Sequence, residues 1–546
     1  MKDLKLHLSP ESLIILFFSG YFVFGLLLVD DYGIHWDDHS QYIHGLVSTD
    51  YINELSGGWF AADKPYSDIR LEDYKDRSHG VVFQMAALSI QHLLGISDPR
   101  GIFLLRHYFT FLLFFTGLIF FFRLLMLRFE NRAMAILGVL FMVLSPRIFA
   151  DSFYNSKDIV FLSLFIISIW TLIRFLQKAT FASASFHALA SALLISTRIV
   201  GVFLPVVTLL FLFLKPFILK NEIVTGLKVN AAGILASLRV VLIKGGIYLF
   251  LMFLLTFAFW PYLWSDPFRR LIEVFTTMSN FNWDDPVLFL GKYYLPSNLP
   301  LYYIPFWILI STPVLYSVLF FLGLGFFVTR SERGLCFLFD SLCIVLFFLP
   351  LLSVIVHGSV IYDGWRHLFF LYVPFMILSL VGFHEIMNFI KKKLRPISAR
   401  LFKWSLFLII LISSVGTASF MIRYHPHQNV YFNFLAGKNT TKNFEADYWG
   451  LSQRQVLQYL LDNDPSDTIK ILSANWSGKA NADIFPREQR DRLRFVSPGE
   501  ASYFISNYRF PPEHDKFINL EYPYNRPVIE IKVNGNKISG AYHWNQ

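Results

Sequence analysis

The chain has 546 residues, of which 55% are hydrophobic and only 16% charged, and its mean hydropathy is +0.48. Those values exclude an ordinary water-soluble globule and define a polytopic membrane protein. The net charge of +9 does not point to nucleic acid, because Lys and Arg fall in short clusters between apolar runs, the distribution that fixes topology in a bilayer.

Crossing about 30 Å of hydrocarbon takes roughly 20 helical residues, and about eleven apolar runs qualify. They are 11–29, 103–122, 133–149, 159–176, 181–197, 199–219, 245–263, 303–328, 335–356, 367–390 and 404–422. The first follows Lys2 and Lys5 and shows no small-residue cleavage site before Asp30, which reads as an uncleaved span. The block 181–219 is too long for one span and predicts a hairpin with its tip at Thr197-Arg198. Lys2, Lys5, Arg123, Arg128, Arg132, Lys178, Lys215, Lys220, Lys228, Arg239, Lys244, Arg330, Arg333 and the stretch 391–403 all fall on one side, which the positive-inside rule makes the cytoplasm. Loops 30–102, 147–158, 264–302 and 357–366, the Arg198 tip and residues 424–546 then lie outside.

Within the outer loops, 266–283 repeats apolar residues at helical spacing from Phe268 through Met278 to Phe281, predicting an interfacial amphipathic helix that either packs on the bundle or gates a substrate. A weaker pattern starts at Val81. Cys336 and Cys343 lie two turns apart on one predicted helix, too far for a disulfide, and no metal-binding Cys or His spacing occurs. From Tyr424 the composition turns polar. Strand-like runs at 468–472, 494–496 and 528–533 and a helical stretch at 452–461 predict a small α/β domain over 424–546, beside a membrane domain over 1–423.

Chemistry concentrates in the predicted outer loops. Asp37 and Asp38 stand in His35-Trp36-Asp37-Asp38, just past the first span, where an acidic pair offers a base at the membrane surface. Asp30 and Asp31 nearby read equally as flanking charges. In Pro146-Arg147 and Asn155-Ser156-Lys157-Asp158 both charge signs meet a span start; the pair anchors at the interface or, facing the bundle, supplies a second carboxylate and a phosphate ligand. Arg198 would cost about 2.5–3.5 kcal/mol at the bilayer centre, so it lies at an aqueous tip or is paired, and its planar fork suits a phosphate. Arg366 and His367 follow in Tyr362-Asp363-Gly364-Trp365-Arg366-His367. Cations beside carboxylates are what transfer from a polyprenyl-phosphate sugar requires: positive charge for the departing phosphate oxygen and a carboxylate for the acceptor proton. A transporter or flippase of lipid-linked sugars is the rival, though no internal repeat is evident.

These motifs, with Thr197-Arg198-Ile199-Val200-Gly201, Trp260-Pro261-Tyr262 and His425-Pro426-His427-Gln428, resemble in order and topology the GT-C-type membrane glycosyltransferases, in particular bacterial relatives of the protein O-mannosyltransferases and lipid A aminoarabinose transferases. The family's acidic motif, often Asp-Glu followed by Gln or Tyr, corresponds to Asp37-Asp38 with Gln41 and Tyr42; the second residue departs from it, and Asp37 is favoured as the base. The resemblance implies a GT-C membrane core in a bacterial inner membrane, a polyprenyl-phosphate-linked sugar donor and a catalytic Asp in the first outer loop. It leaves the acceptor as a glycan, lipid or protein; no cofactor is expected, since no separate metal is required where Arg and Lys hold the phosphate. Catalytic candidates are Asp37, Asp38 and Asp158; donor-phosphate candidates are Lys157, Arg198, Arg366, His367 and Arg147.

Overall fold

A computed structural model of the protein describes residues 9–58, 67–219, 235, 238–279, 283–330, 334–509 and 524–544. Lys2, Lys5, Lys220, Lys228, Phe281 and Arg333 lie outside the described residues.

Every apolar run folds as helix. Ser9 accepts a bond from Ser12 N and Pro10 opens α1 (Pro10–Leu28), while Asp98 and Pro99 do the same for α4 (Pro99–Phe129). Between them, α2 (Asp38–Ser56) and α3 (Val82–Leu93) belong to the first loop. At 31 residues, α4 is about 46 Å long, so its charged start extends past the hydrocarbon.

The predicted span 133–149 is instead two helices, α5 (Arg132–Val143) and α6 (Pro146–Tyr154), bent by 71°. Pro146 has no N–H to continue the ladder and opens the second helix. All of α6 is buried, so most of 147–158 is no surface loop but part of the core. Asn155 closes α6 and α7 (Asp158–Gln177) begins, packed against α4, α8 (Phe181–Ile195) and the turn Arg366–Leu371, with nearly every residue buried.

The remaining membrane helices are α9 (Phe203–Ile218), α10 (Gly246–Phe259), α12 (Tyr303–Ser311), α13 (Val314–Thr329), α14 (Leu335–Val356), α15 (Tyr372–Lys393) and α16 (Pro396–Arg423). The amphipathic helix is α11 (Pro267–Ser279), which stops before Trp283 and leaves that ring in the loop beyond. Pro313 divides the predicted span 303–328 between α12 and α13.

Among the described residues eight helices are long and apolar enough to cross a membrane, nine with the bent pair. Of the eleven expected runs, α8 and α13, of 15 and 16 residues, form shorter apolar helices of about 22–24 Å. Exposed apolar side chains such as Leu13 and Leu16 on α1 and Phe407 and Ile412 on α16 give the bundle a lipid-compatible surface. Inside, α13 crosses α15 at Gly323 and Gly382; a Cβ at either would fall 2.1 Å from a carbonyl oxygen of the other helix.

The C-terminal part carries a five-stranded sheet of order β4-β3-β5-β7-β6, with β3 (Ile469–Ser473) parallel to β4 (Leu493–Phe495) and β5 (Tyr503–Ser506), and β7 (Asn536–His543) antiparallel to β5 and β6 (Pro527–Val533). β1 (Val287–Phe289) and β2 (Lys292–Tyr294) form a separate hairpin. Helix α17 (Gln453–Asn463) packs on the sheet, and α18 (Trp476–Ala482) follows β3. The predicted runs emerge as β3, β4, β6 and α17. β5 and β7 escape sequence reading because their interiors are buried on both faces and do not alternate.

The polar composition after Tyr424 coincides with the end of α16, yet the packing does not divide there. Phe432, Phe444, Tyr448 and Trp449 enter the core of the bundle, while Ile34 and Phe103 of the membrane part join Val456, Ile471 and Ile505 in the core under the sheet.

Candidate functional site

At one end of the bundle two cavities share a wall. The inner one, of about 170 Å³, is lined by Gln41, His44, Asp76, His79, Ser156, Lys157 and Tyr362 among others. The outer one, of about 690 Å³, is lined by Trp36, Asp73, Tyr74, Asp285 and Trp476 among others. Asp37, Ser40, Lys75 and Trp283 line both. The approach that closes the inner cavity needs glycine: a Cβ on Gly80 would lie 2.1 Å from the Ser196 carbonyl oxygen, so the loop after Asp76 rests directly on the Thr197-Arg198 tip.

Helix geometry separates the acidic pair. Asp37 and Asp38 stand at the start of α2, where successive side chains point about 100° apart. Asp37 keeps 36% of its side-chain surface and faces both cavities, whereas Asp38 is fully buried. Asp38 Oδ1 lies 3.0 Å from His35 Nε2, 3.0 Å from Ser156 Oγ and 3.7 Å from Arg106 Nη2. Burial raises its carboxyl pKa, but His35 and Arg106 outweigh burial and hold it down to about 2. Asp38, expected as a catalytic candidate, ties α2 to Ser156 and α4 and lines neither cavity.

Asp158, also expected as a catalytic candidate, lines neither cavity. Its carboxylate is buried behind the cavity wall, paired with Arg198, 3.5 Å from Arg366 Nη1 and accepting from Asn155 Nδ2 at 3.2 Å. It gathers two arginines and does not face the open space. Arg366 spans the cluster, with Nη2 3.7 Å from Asp37 Oδ2 and Nε donating to Asp363 Oδ2 at 3.0 Å, and its guanidinium lies 4.4 Å from the Trp449 ring centre. Lys157, half-buried, does line the inner cavity. Among the described residues no hydrogen-bond or ion-pair partner lies within reach of its ammonium. Burial, then the neighbouring Arg198, lowers its pKa to about 7. Burial and Lys157 together bring His44 down to about 3, so its ring is neutral.

Arg147 and His367 do not join this set. Arg147 is buried with its guanidinium 4.7 Å from the Phe432 ring centre and 5.2 Å from Trp307, and its Nε donates to the Tyr431 carbonyl at 3.1 Å. Its charge is spent holding residues 431–432 on the bundle. The His367 ring meets Tyr362 edge-on at 4.7 Å and lines neither cavity. Asp30 and Asp31 are docking groups: Asp30 pairs with Arg100 at 2.8 Å, and Asp31 with His425 at 2.8 Å.

Sequence reading missed Arg509, which follows β5 in the C-terminal part. Its Nη2 lies 2.6 Å from Asp363 Oδ1, its Nη1 donates to the Tyr448 carbonyl at 2.5 Å, and its guanidinium covers the Trp36 ring at 4.0 Å. Asp363 thus bridges Arg366 and Arg509, linking the sheet domain to the cluster. Asn481 reinforces the docking by bonding both Ile34 N and Ile34 O at 3.0 Å. Nothing in Tyr508-Arg509 signals this, because the contact is made only by tertiary docking. Among the described residues no three His, Cys, Asp or Glu side chains are grouped to hold a metal ion.

Fold and site together define a multi-pass membrane protein with a charged, two-chambered site at one end of its helix bundle, closed on one side by a small α/β domain. The chain is similar to the apo oligosaccharyltransferase of Archaeoglobus fulgidus, at 10% identity and a TM-score of 0.48, over 90% of this chain and 70% of that one. It is similar also to ArnT from Cupriavidus metallidurans bound to undecaprenyl phosphate, at 11% identity and a TM-score of 0.46, over 97% of this chain and 98% of that one. Apo ArnT gives 12% identity and 0.45, over 90% and 86%. No protein-family model matches the chain, and no curated protein matches it in sequence.

Proposed function

We propose that the protein is a membrane glycosyltransferase that moves a sugar from a polyprenyl-phosphate-linked donor to an acceptor hydroxyl. The same reading sets the reaction at the extracytoplasmic face of a bacterial inner membrane, with the N-terminus cytoplasmic. The observation that carries it is the position of Asp37 on the wall shared by the two cavities, with Lys157, unpaired among the described residues, in the inner one and open space in the outer one.

The donor phosphate enters the inner cavity against Lys157, and Arg366 and Arg198 behind the wall supply further positive charge. An acceptor hydroxyl in the outer cavity gives its proton to the Asp37 carboxylate. Its oxygen bonds to the anomeric carbon as the bond from that carbon to the phosphate oxygen breaks, and the electron pair leaves with the lipid phosphate. One displacement inverts the anomeric carbon. Asp38, Asp158 and Asp363 position the participants through His35, Ser156 and the arginines. The motif resemblance to GT-C transferases supports the same reaction class.

Reconstitution with a panel of polyprenyl-phosphate sugars and candidate acceptors tests this by following release of free lipid phosphate. Release that depends on Asp37 is expected. Wild-type release from Asp37→Asn overturns the assignment of the base. Donor binding with no release by either protein, acceptors being verified, favours movement of the lipid-linked sugar across the membrane instead.

A further inference from the structure

The outer cavity differs in kind from the inner one. Its volume of about 690 Å³ lies within the roughly 300–1,000 Å³ of small-molecule sites. Three indole rings line it, each set by different neighbours. Trp283 stacks on Tyr362 with ring centres 4.1 Å apart and planes 7° from parallel. Trp36 lies under the Arg509 guanidinium and meets Trp283 at 6.3 Å and 65°. Trp476, the first residue of α18 on the sheet domain, leaves 45% of its surface exposed beside them. Of its lining side chains Asp37, Asp73 and Asp285 are carboxylates and only Lys75 is an ammonium.

Rigid aromatic faces beside hydrogen-bond-accepting carboxylates fit a molecule with apolar C–H faces and a rim of hydroxyl donors. The excess of carboxylates repels an anion. We propose that this cavity is a saccharide subsite and that the acceptor sugar it takes is uncharged. The acceptor role rests on the transferase reading; the saccharide binding does not. Trp283 stacks one wall, Trp476 closes the other, and a sugar hydroxyl reaches Asp37 where the chambers meet. The sheet domain therefore acts as a specificity element, since it brings Trp476 to the cavity and Arg509 onto the Trp36 ring.

The test is saturation-transfer NMR on the purified full-length protein with chitotriose and maltotriose as neutral probes and trigalacturonate as the anionic one. At least one neutral probe should bind and trigalacturonate should bind at least tenfold more weakly. Trp476→Ala should loosen the neutral probe about tenfold, Trp476→Tyr should restore it, and neither should change binding of a short-chain polyprenyl phosphate. If Trp476→Ala does not fold, Asp285→Lys, at an exposed position, supplies the same test by loosening the neutral probe and narrowing the anionic disadvantage. No binding of either neutral probe, equal binding of the anionic one, or indifference of the neutral probe to both substitutions overturns the proposal. Polyprenyl-phosphate turnover with no saccharide binding would overturn this inference and leave the transferase standing. Saccharide binding without any release of lipid phosphate would overturn the transferase and with it the acceptor role, and leave the saccharide subsite standing.

Discussion

The two ends of the bundle each hold a cluster of arginines and carboxylates, but they are built differently. Near the C-terminal end of α4, Arg128 Nε and Nη2 meet Asp340 Oδ1 and Oδ2 at 2.5 and 2.7 Å, and Arg330 adds a contact at 3.1 Å. Both carboxylate oxygens are matched in a bidentate fork, and little is left for a ligand. At the cavity end Arg366 divides itself among Asp37, Asp158 and Asp363, with the first two contacts stretched to 3.7 and 3.5 Å, and Lys157 is paired with nothing among the described residues. A saturated cluster holds helices together; an unsaturated one beside a cavity holds charge ready for an incoming group.

Substitutions at the two ends should therefore fail in different ways. The largest effect is expected from Asp37→Asn, which should cut the turnover of lipid-phosphate release by about 10²–10⁴-fold while thermal stability stays at the wild-type value. Asp340→Ala should do the opposite, costing about 3–5 kcal/mol of stability by leaving Arg128 buried and unpaired, read as a lowered melting temperature in detergent. Lipid-phosphate release per folded Asp340→Ala molecule should remain near wild type. A turnover loss in that variant comparable with Asp37→Asn would erase the contrast between the ends.

Arg366→Ala should weaken polyprenyl-phosphate-sugar binding about tenfold, because it removes positive charge from behind the wall of the inner cavity, measured by titration with the donor. The smallest effect concerns Lys157. With a pKa of about 7 its ammonium is charged at pH 6 and mostly neutral at pH 8, so donor affinity should fall as pH rises through neutrality, by at most about tenfold between pH 6 and pH 8. Lys157→Arg keeps its charge throughout and should flatten that profile. A profile unchanged by the substitution would remove Lys157 from the phosphate site.

Much of this was legible in the chain itself. The apolar runs fixed where helices form, because their backbone groups must bond internally in lipid, and the break between α5 and α6 falls at Pro146, which has no N–H to give. The segregation of Lys and Arg already gathered the first loop, the Lys157 turn, the Arg198 tip and Arg366 at one end. Arg198 and Arg366 pair with Asp158 there, Lys157 lines the inner cavity, and Asp37 faces both cavities. Adjacent aspartates, however, look alike in a sequence. Only His35, Ser156 and Arg106 closing around Asp38 assign one to the interior and leave the other open.

Arg147 shows the same limit from the other side. Its neighbours in the chain suggest an outer cation, while Trp307 and Phe432, each more than a hundred residues away, take its guanidinium between them. Arg509 and Trp476 carry no local signal, and they reach the site because Asn481, Arg454 and His39 dock the sheet domain onto the first loop. The sequence by itself determined the membrane class, the helices and the end of the bundle at which charge collects, since hydropathy and charge segregation act locally along the chain. Tertiary structure alone decided which of those charges remain unpaired beside open space, because burial and pairing depend on partners that only packing brings together.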